Sequence, residues 1–185
     1  MYTLFLDTHS ECINIVLYKE NSVLLKKSIE TKQNHSVTTM PILESALKEA
    51  KIKVTDLNQI LVVNGPGSFT GVRIGVTIAK TLAFTLNIPI KIMSSLLIKA
   101  VSLSHDAVTI LEREKNGVFL GDFNKDNKLV GEYRYVANNK FQNEEKIVED
   151  VEIDYEKIIV FASSLESTPA HAVNPLYVKK IEVQK

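Results

Sequence analysis

Cysteine is nearly missing from this chain of 185 residues, and so is any excess of charge of one sign. Cys12 is the one cysteine, so no internal disulfide can form, and its neighbours Ile13 and Ile15 indicate a strand residue rather than a reactive thiol. The 22 basic residues are matched by 22 acidic ones. Balanced charge argues against a protein that binds nucleic acid by itself, because such proteins usually carry an excess of Lys and Arg.

We expect neither a leader segment nor a long hydrophobic run. The chain opens on a strand-like run, residues 2–6, without the basic start and long apolar core of a signal peptide. We expect no stretch to approach the length that spans a bilayer. A cytoplasmic protein without membrane contact is therefore predicted.

Arrangements typical of catalytic chemistry are scarce. His35 is followed at the i+4 position by Thr39, where a helical metal site would have a second ligand. Asp7 and Thr8 end the first strand, but no further acidic residues at comparable strand ends complete a metal cluster. We therefore expect no catalytic residue and no bound metal in this chain.

The first hundred residues predict the order β-β-β-α-β-α-β-α. The polar segment 19–22 has the length of a hairpin loop, and the apolar run 60–63 is typical of a strand buried on both faces. A helical period covers residues 36–51, with a kink or restart expected at Pro41. The other predicted elements are strands 3–6, 12–18, 23–29 and 88–92, a helix over 70–86, and a short helix ending near 103, capped by Ser94 or Ser95. This order favours a mixed sheet flanked by helices.

The second half has a weaker pattern. Residues 107–111, 117–123, 129–136 and 158–161 have strand character, whereas residues 137–157 favour a loop or a weakly packed helix. Recurring short strands indicate a truncated copy of the first half. We accordingly divide the chain into an amino-terminal subdomain, residues 1–103, and a reduced carboxyl-terminal subdomain, residues 104–185.

A glycine-rich turn separates the buried strand from the second long helix. Its glycines allow a sharp turn, and amides at a helix start can hold an anion, but no Lys follows as in a phosphate-binding loop. Two interpretations of the turn therefore remain open: a purely structural turn and a contact with an anion. Arg73 opposes the helix dipole and is expected to reach an acceptor, within the chain or outside it. The candidate anion-contact residues are Asp7, Gly65, Gly67, Ser68, Thr70, Gly71 and Arg73.

The two long helices are more apolar than one buried face requires. Gly71, Gly75, Ala79 and Ala83 recur at four-residue steps, which makes a smooth stripe that another helix can approach closely. We expect a partner protein to bury part of this surface. The predicted interface residues are Val37, Met40, Leu43, Leu47, Val72, Gly75, Val76 and Ala79.

The segment 65–75, GPGSFTGVRIG, resembles the bacterial TsaB (YeaZ) family of subunits that take part in making threonylcarbamoyladenosine in transfer RNA. Support comes from segments 6–8, 35–36 and 174–178. The resemblance implies an actin-, Hsp70- and sugar-kinase-like fold of two ribonuclease-H-like halves, the second reduced. Where the family commonly has Asp-Ala-Arg-Arg-Gly, this chain has residues 112–116, EREKN, and its second half is shorter than usual.

The same resemblance implies a non-catalytic activating subunit. It would pair through its first two helices with a TsaD-like catalytic subunit, which a TsaE-like ATPase joins, and it would form a homodimer when isolated. ATP and threonylcarbamoyl-adenylate would be used by the complex, which also binds the tRNA, and no cofactor is expected on this chain. The alternatives are a small ATPase or kinase using Asp7 and the glycine turn, and, less favoured, a metallopeptidase.

Overall fold

A five-stranded mixed sheet organises the first half of the chain. The computed structural model describes residues 1–31, 34–142 and 147–179. The strands lie in the order β3-β2-β1-β4-β5; β1, β4 and β5 are parallel, and β2 is antiparallel to both neighbours. Their bounds are β1 Tyr2–Asp7, β2 Cys12–Lys19, β3 Ser22–Glu30, β4 Gln59–Val63 and β5 Ile90–Met93. The mixed sheet is therefore as predicted, and every side chain of β4 is buried.

Helices cover both faces of this sheet. On one face α1 (His35–Glu49) and α2 (Phe69–Leu86) pack with the β1 side chains Leu4 and Leu6 in one apolar cluster. On the other face α3 (Ser95–Ser102) and α4 (Tyr155–Ser163) pack around Phe5. The alternation of side chains along β1 thus supplies both cores. Ser94 caps α3 as expected, by accepting the amide of Leu97 at 2.9 Å.

Pro41 does not interrupt α1, contrary to the predicted restart. The helix continues from His35 to Glu49 with Pro41 inside it. Proline removes one backbone donor, but Leu43 and Leu47 just beyond it are buried against the sheet. Tertiary packing therefore maintains the helix across the missing hydrogen bond.

The second sheet repeats the first in shorter form. Its strands lie in the order β8-β7-β6-β9, with two antiparallel pairings followed by a parallel one, as in β3-β2-β1-β4. Their bounds are β6 Ala107–Glu114, β7 Gly117–Asn124, β8 Arg134–Ala137 and β9 Ile147–Val148. The predicted strand over residues 129–136 is shorter and later than expected, because Leu129 makes only an isolated bridge to Phe123. This topology explains the recurrence of short strands in the sequence.

Residues 158–161, predicted as a strand, are helical. They lie within α4, where Ile158 and Ile159 are buried against the first sheet. The adjoining segment 137–157 contains the last residue of β8, the whole of β9 and the first turn of α4. Residues 143–146 of that segment lie outside the described residues. A four-residue apolar run fits either a buried strand or one face of a helix, so periodicity alone could not separate the two.

The last described segment returns to the first half. Val173 is fully buried in the α1–α2 cluster, and the Leu176 amide donates to the Asn64 carbonyl at 2.7 Å. The predicted boundary after residue 103 falls between α3 and β6, where the chain passes from one sheet to the other. Both α4 and this tail, however, pack on the amino-terminal half.

One helix has the length and composition of a membrane span, contrary to expectation. Helix α2 has 18 residues and a mean hydropathy of 1.2. Six of its residues are nevertheless buried, and they belong to the face that packs on the first sheet. Packing in an α/β core thus accounts for the apolar residues on this face of α2, whereas Phe84 on the other side is 81% exposed.

Candidate functional site

The turn between β4 and α2 is held by its own hydrogen bonds. Gly65 has a φ of 104°, a backbone conformation that favours glycine. The Ser68 amide donates to the His9 carbonyl at 2.7 Å, and the Ser68 hydroxyl accepts the Gly71 amide at 3.2 Å. Ser95 fixes the other side of the turn by donating to the Pro66 carbonyl. The amides of Ser68 and Gly71 are therefore already bonded within the chain, which favours the structural interpretation of this part of the turn.

The glycine stripe of α2 lies against β1 rather than against a partner helix. A Cβ on Gly71 would lie 2.1 Å from the Thr8 carbonyl oxygen, and a Cβ on Gly75 would lie 2.3 Å from Thr8 Oγ1. Thr8 also donates its hydroxyl to the Gly71 carbonyl at 2.7 Å. The small residues thus allow the helix to approach the end of β1, which corrects the prediction of a smooth seam for another protein.

Most of the predicted interface residues are inside the fold. Leu43, Leu47, Val72, Gly75, Val76 and Ala79 are all buried on the sheet-facing sides of α1 and α2. Two of the eight remain open to solvent, Val37 at 69% and Met40 at 48%. The helical period identified the apolar residues correctly, but it could not say which apolar face the sheet would cover. The partner surface assigned to the six buried residues is therefore corrected.

Arg73 reaches an aromatic acceptor instead of a carboxylate. Its Nε donates to the hydroxyl of Tyr177 at 2.7 Å, and its guanidinium carbon lies 3.9 Å from the centre of the Phe69 ring. Thr70 and Arg73 are both exposed. The contact between Tyr177 and Arg73 could not be predicted from the sequence, because 104 positions separate them.

A buried chain of charges joins the two halves at the carboxyl end of β1. Asp7 contacts His9 Nδ1 at 2.6 Å, His9 Nε2 lies 3.7 Å from Glu112, and Lys99 Nζ lies 2.6 Å from the same carboxylate oxygen. Glu112 belongs to β6 of the second sheet and Lys99 to α3. We call these four residues the junction cluster. Of the four, only Asp7 was a candidate from the sequence, because three separate parts of the chain supply the others.

Two members of the junction cluster, His9 and Glu112, have strongly shifted pKa values. Burial by itself lowers the pKa of His9, but the negative charge of Asp7, its hydrogen bond and the Glu112 carboxylate together raise it to about 10. Burial raises the pKa of Glu112, whereas His9 and Lys99 oppose that effect and bring it to about 2. His9 and Glu112 are thus both charged near neutral pH. Ion pairs bridge the place where the two halves meet.

His35 is occupied by structural contacts. Its Nε2 lies 2.8 Å from the Ser10 carbonyl oxygen and its Nδ1 lies 3.3 Å from the Thr31 hydroxyl. Thr39 donates its hydroxyl to the His35 carbonyl at 2.7 Å. Within residues 1–31, 34–142 and 147–179 no group of three or more His, Cys, Asp or Glu side chains is placed to hold a metal ion.

Two ribonuclease-H-like sheets of the same strand order, the second reduced, define the actin, Hsp70 and sugar-kinase class of folds. Solved structures of known proteins agree. YeaZ from Pseudomonas aeruginosa superposes with a TM-score of 0.78 at 20% identity, covering 95% of this chain and 100% of that one. The activator of the 2-hydroxyisocaproyl-CoA dehydratase from Clostridium difficile superposes with a TM-score of 0.52 at 15% identity, over 75% of this chain and 46% of that one. The predicted fold class is therefore confirmed.

Sequence comparison identifies the family. The family model described as TsaD, tRNA N6-adenosine threonylcarbamoyltransferase, matches residues 26–154. The tRNA threonylcarbamoyladenosine biosynthesis protein TsaB of Bacillus subtilis is 40% identical over 133 residues, which is 70% of this chain and 58% of that protein. The chain thus belongs to the TsaD-related family, and it is similar to the TsaB (YeaZ) proteins. It matches somewhat over half the length of the B. subtilis relative.

Proposed function

We propose that this chain is a non-catalytic subunit in the biosynthesis of threonylcarbamoyladenosine on tRNA, and that it binds and activates a TsaD-like catalytic subunit. Its similarity to the TsaB protein of Bacillus subtilis supports the pathway. The observation that carries the role is the exposure of Val37 and Met40 on α1, the helix that packs beside α2. Apolar side chains exposed on a helix that is otherwise docked on a sheet are suited to cover by another protein.

The proposed contact is smaller than the surface predicted from sequence. It comprises Val37 and Met40 of α1 with the exposed side of α2 around Thr77, and we call it the α1–α2 surface. The amino ends of both helices lie beside residues 9 and 10, because the Ser68 amide donates to the His9 carbonyl and the His35 ring contacts the Ser10 carbonyl. A pair of helices from the partner packed across this surface would form a helical bundle.

The remaining parts of the proposal follow from that pairing. A TsaE-like ATPase joins the assembly, and ATP and threonylcarbamoyl-adenylate are handled by the complex rather than by this chain. The same α1–α2 surface pairs with a second copy when the catalytic subunit is missing. Because the substrate is tRNA, the proposal places the chain in the cytoplasm.

The ATPase or kinase alternative would need the glycine turn to accept phosphates. The amides of Ser68 and Gly71 already have acceptors, and His9 and Glu112 carry the junction between the halves. Both features disfavour that alternative. Titration of the isolated chain with ATP and magnesium discriminates between the two functions, since the proposed subunit is expected to show no saturable nucleotide binding.

The direct test changes the exposed apolar residues. The double variant Val37→Glu, Met40→Glu is expected not to co-purify with the cognate catalytic subunit and not to support tRNA modification in a reconstituted reaction. The reason is that two charges would be desolvated in the contact. Val160→Glu is the matched control: this valine of α4 is 56% exposed, and the variant is expected to bind normally. Full binding and modification by the folded double variant would eliminate the proposed surface.

A further inference from the structure

Arg73 is an exposed cation that the described residues do not neutralise. It is the fifth residue of α2, close to the amino end where the helix dipole disfavours positive charge, and α2 contains no acidic residue. Within the described parts of the chain, no carboxylate lies within ion-pair distance of its guanidinium group; its recorded hydrogen bond goes to Tyr177. A cation in this position without a counter-charge inside the protein is suited to bind a negatively charged group of another molecule.

The Arg73 side chain is nevertheless fixed in one orientation. Its guanidinium carbon lies 3.9 Å from the ring centre of Phe69 and 5.7 Å from that of Tyr177, and Nε donates to the Tyr177 hydroxyl at 2.7 Å. Tyr177 is held in turn, because the neighbouring Leu176 amide bonds to the Asn64 carbonyl. An arginine already ordered on aromatic rings loses little further rotamer freedom on binding. We call Phe69, Arg73 and Tyr177 the arginine platform.

The binding edge of the platform is open. Nε is the guanidinium nitrogen with a recorded acceptor, so the two Nη nitrogens have none among residues 1–31, 34–142 and 147–179. Phe69 and Tyr177 remain 52% and 53% exposed. A planar pair of N–H donors matches the two oxygens of a carboxylate, and half-exposed aromatic rings supply the apolar surroundings found at interface hot spots.

We propose that the arginine platform is an anchor for a carboxylate side chain of the catalytic subunit, at the edge of the α1–α2 surface. The inference rests on the proposed function and adds a specific charge contact to its apolar one. Lys80, the other cation of α2, lies seven residues further along, roughly 10 Å by helix rise, and is engaged with the His171 carbonyl. Arg73 and Lys80 therefore both contact the carboxyl-terminal tail, through Tyr177 and His171. The arginine platform thus lies on the side of α2 that faces this tail.

A protein carboxylate fits this site better than an RNA phosphate. RNA backbones are held by several cations that follow the strand, whereas the platform has one free cation between two aromatic rings. The charges of the whole chain also balance, 22 against 22. A single arginine among apolar groups is instead the composition of a protein–protein interface.

The test measures the affinity of the full-length chain for its cognate catalytic subunit by calorimetry. Arg73→Gln is expected to weaken binding by about tenfold or more, as when one member of a charge-assisted pair is lost. Arg73→Lys should restore little of that loss, since it keeps the charge but not the planar donor pair. Tyr177→Phe, which removes only the hydroxyl that fixes Nε, should have a smaller effect. Lys125→Gln, an exposed cation on the β7 turn, is the control and should bind as wild type.

The outcomes separate the anchor from the proposed function. If the wild-type chain binds the catalytic subunit and folded Arg73→Gln binds equally well, the anchor is wrong and the proposed function stands. If the wild-type chain does not bind, both are wrong. If Arg73→Gln weakens binding of tRNA alone but not of the catalytic subunit, the ligand is RNA phosphate and the carboxylate proposal is overturned. Rescue of Arg73→Glu by an acidic-to-lysine change on the partner would establish the pair.

Discussion

Gly71 illustrates how one missing side chain sets the position of a helix. A Cβ at this position would lie 2.1 Å from the backbone carbonyl oxygen of Thr8, and a backbone atom cannot rotate out of the way. Alanine ordinarily stabilises a helix interior by up to about 1 kcal/mol relative to glycine. Here the clash requires α2 to move off β1, which also breaks the Thr8–Gly71 hydrogen bond.

We therefore predict that Gly71→Ala lowers the free energy of unfolding by about 1–3 kcal/mol, the range for overpacked sites. Thr77→Ala, at an exposed position of the same helix, is the matched control and should be neutral or slightly stabilising. Urea unfolding measures both variants. A Gly71→Ala protein as stable as wild type would show that the close contact of α2 with β1 is not required.

The junction cluster makes stability depend on pH in a defined direction. The folded pKa of His9 is raised from 6.5 to about 10, so its contribution is complete below pH 6.5 and is lost as the pH rises toward 10. The folded pKa of Glu112 is lowered from 4.5 to about 2, so its contribution is present above pH 4.5 and is lost as the pH falls toward 2. Together these two groups are most stabilising between pH 4.5 and 6.5.

The variant His9→Gln isolates the loss of stability that is predicted at alkaline pH. The difference in unfolding free energy between wild type and His9→Gln is predicted to shrink as the pH rises from 6.5 to 10, because the wild-type imidazolium loses its proton. His171→Gln, on the exposed tail, should follow the wild-type pH profile. Denaturation curves at several pH values provide the measurement, and a difference that stayed constant across this range would contradict the assigned charge state.

At the scale of elements, prediction succeeded where a period extended over many residues and failed where it was short. Helix α2 was predicted over 70–86 and is found from Phe69 to Leu86, since its apolar residues recur over five turns. Helix α4 was read as a strand from four apolar residues, although Asp154 at its amino end is a typical cap. The interface assignment failed for a related reason: sequence shows that α2 is apolar, but the sheet decides which side is buried.

The cap of α4 gives a test at this scale. Asp154 Oδ1 accepts the amides of Glu156 and Lys157 at 3.1 and 3.0 Å. Asp154→Ala is predicted to lower the free energy of unfolding by about 1 kcal/mol, whereas Asp154→Asn, which also caps well, should be close to neutral. Equal losses for both substitutions would mean that the negative charge, rather than the capping hydrogen bonds, stabilises the helix.

For the whole molecule, segments that come late in the sequence complete the core of the first sheet. Helix α4 completes the second face of the first sheet with Ile158 and Ile159, although the second sheet comes before it in sequence. Val173 is fully buried in the α1–α2 cluster. The boundary predicted after residue 103 correctly separates the two sheets. It also cuts the first sheet off from α4 and Val173, which cover its two faces.

Residues 1–103 expressed alone are therefore predicted not to fold cooperatively. Without α4, the side chains of Phe5 and Leu61, fully buried in the intact chain, would keep only α3 as cover, and α2 would lose the cover of Val173. Exposure of two or three large apolar side chains costs about 1.5–3 kcal/mol each, comparable with the total stability of a small domain. Circular dichroism with thermal unfolding tests this against the full-length chain. A sigmoidal transition in the fragment at the wild-type midpoint would show that the first half is autonomous and that the returning segments are dispensable.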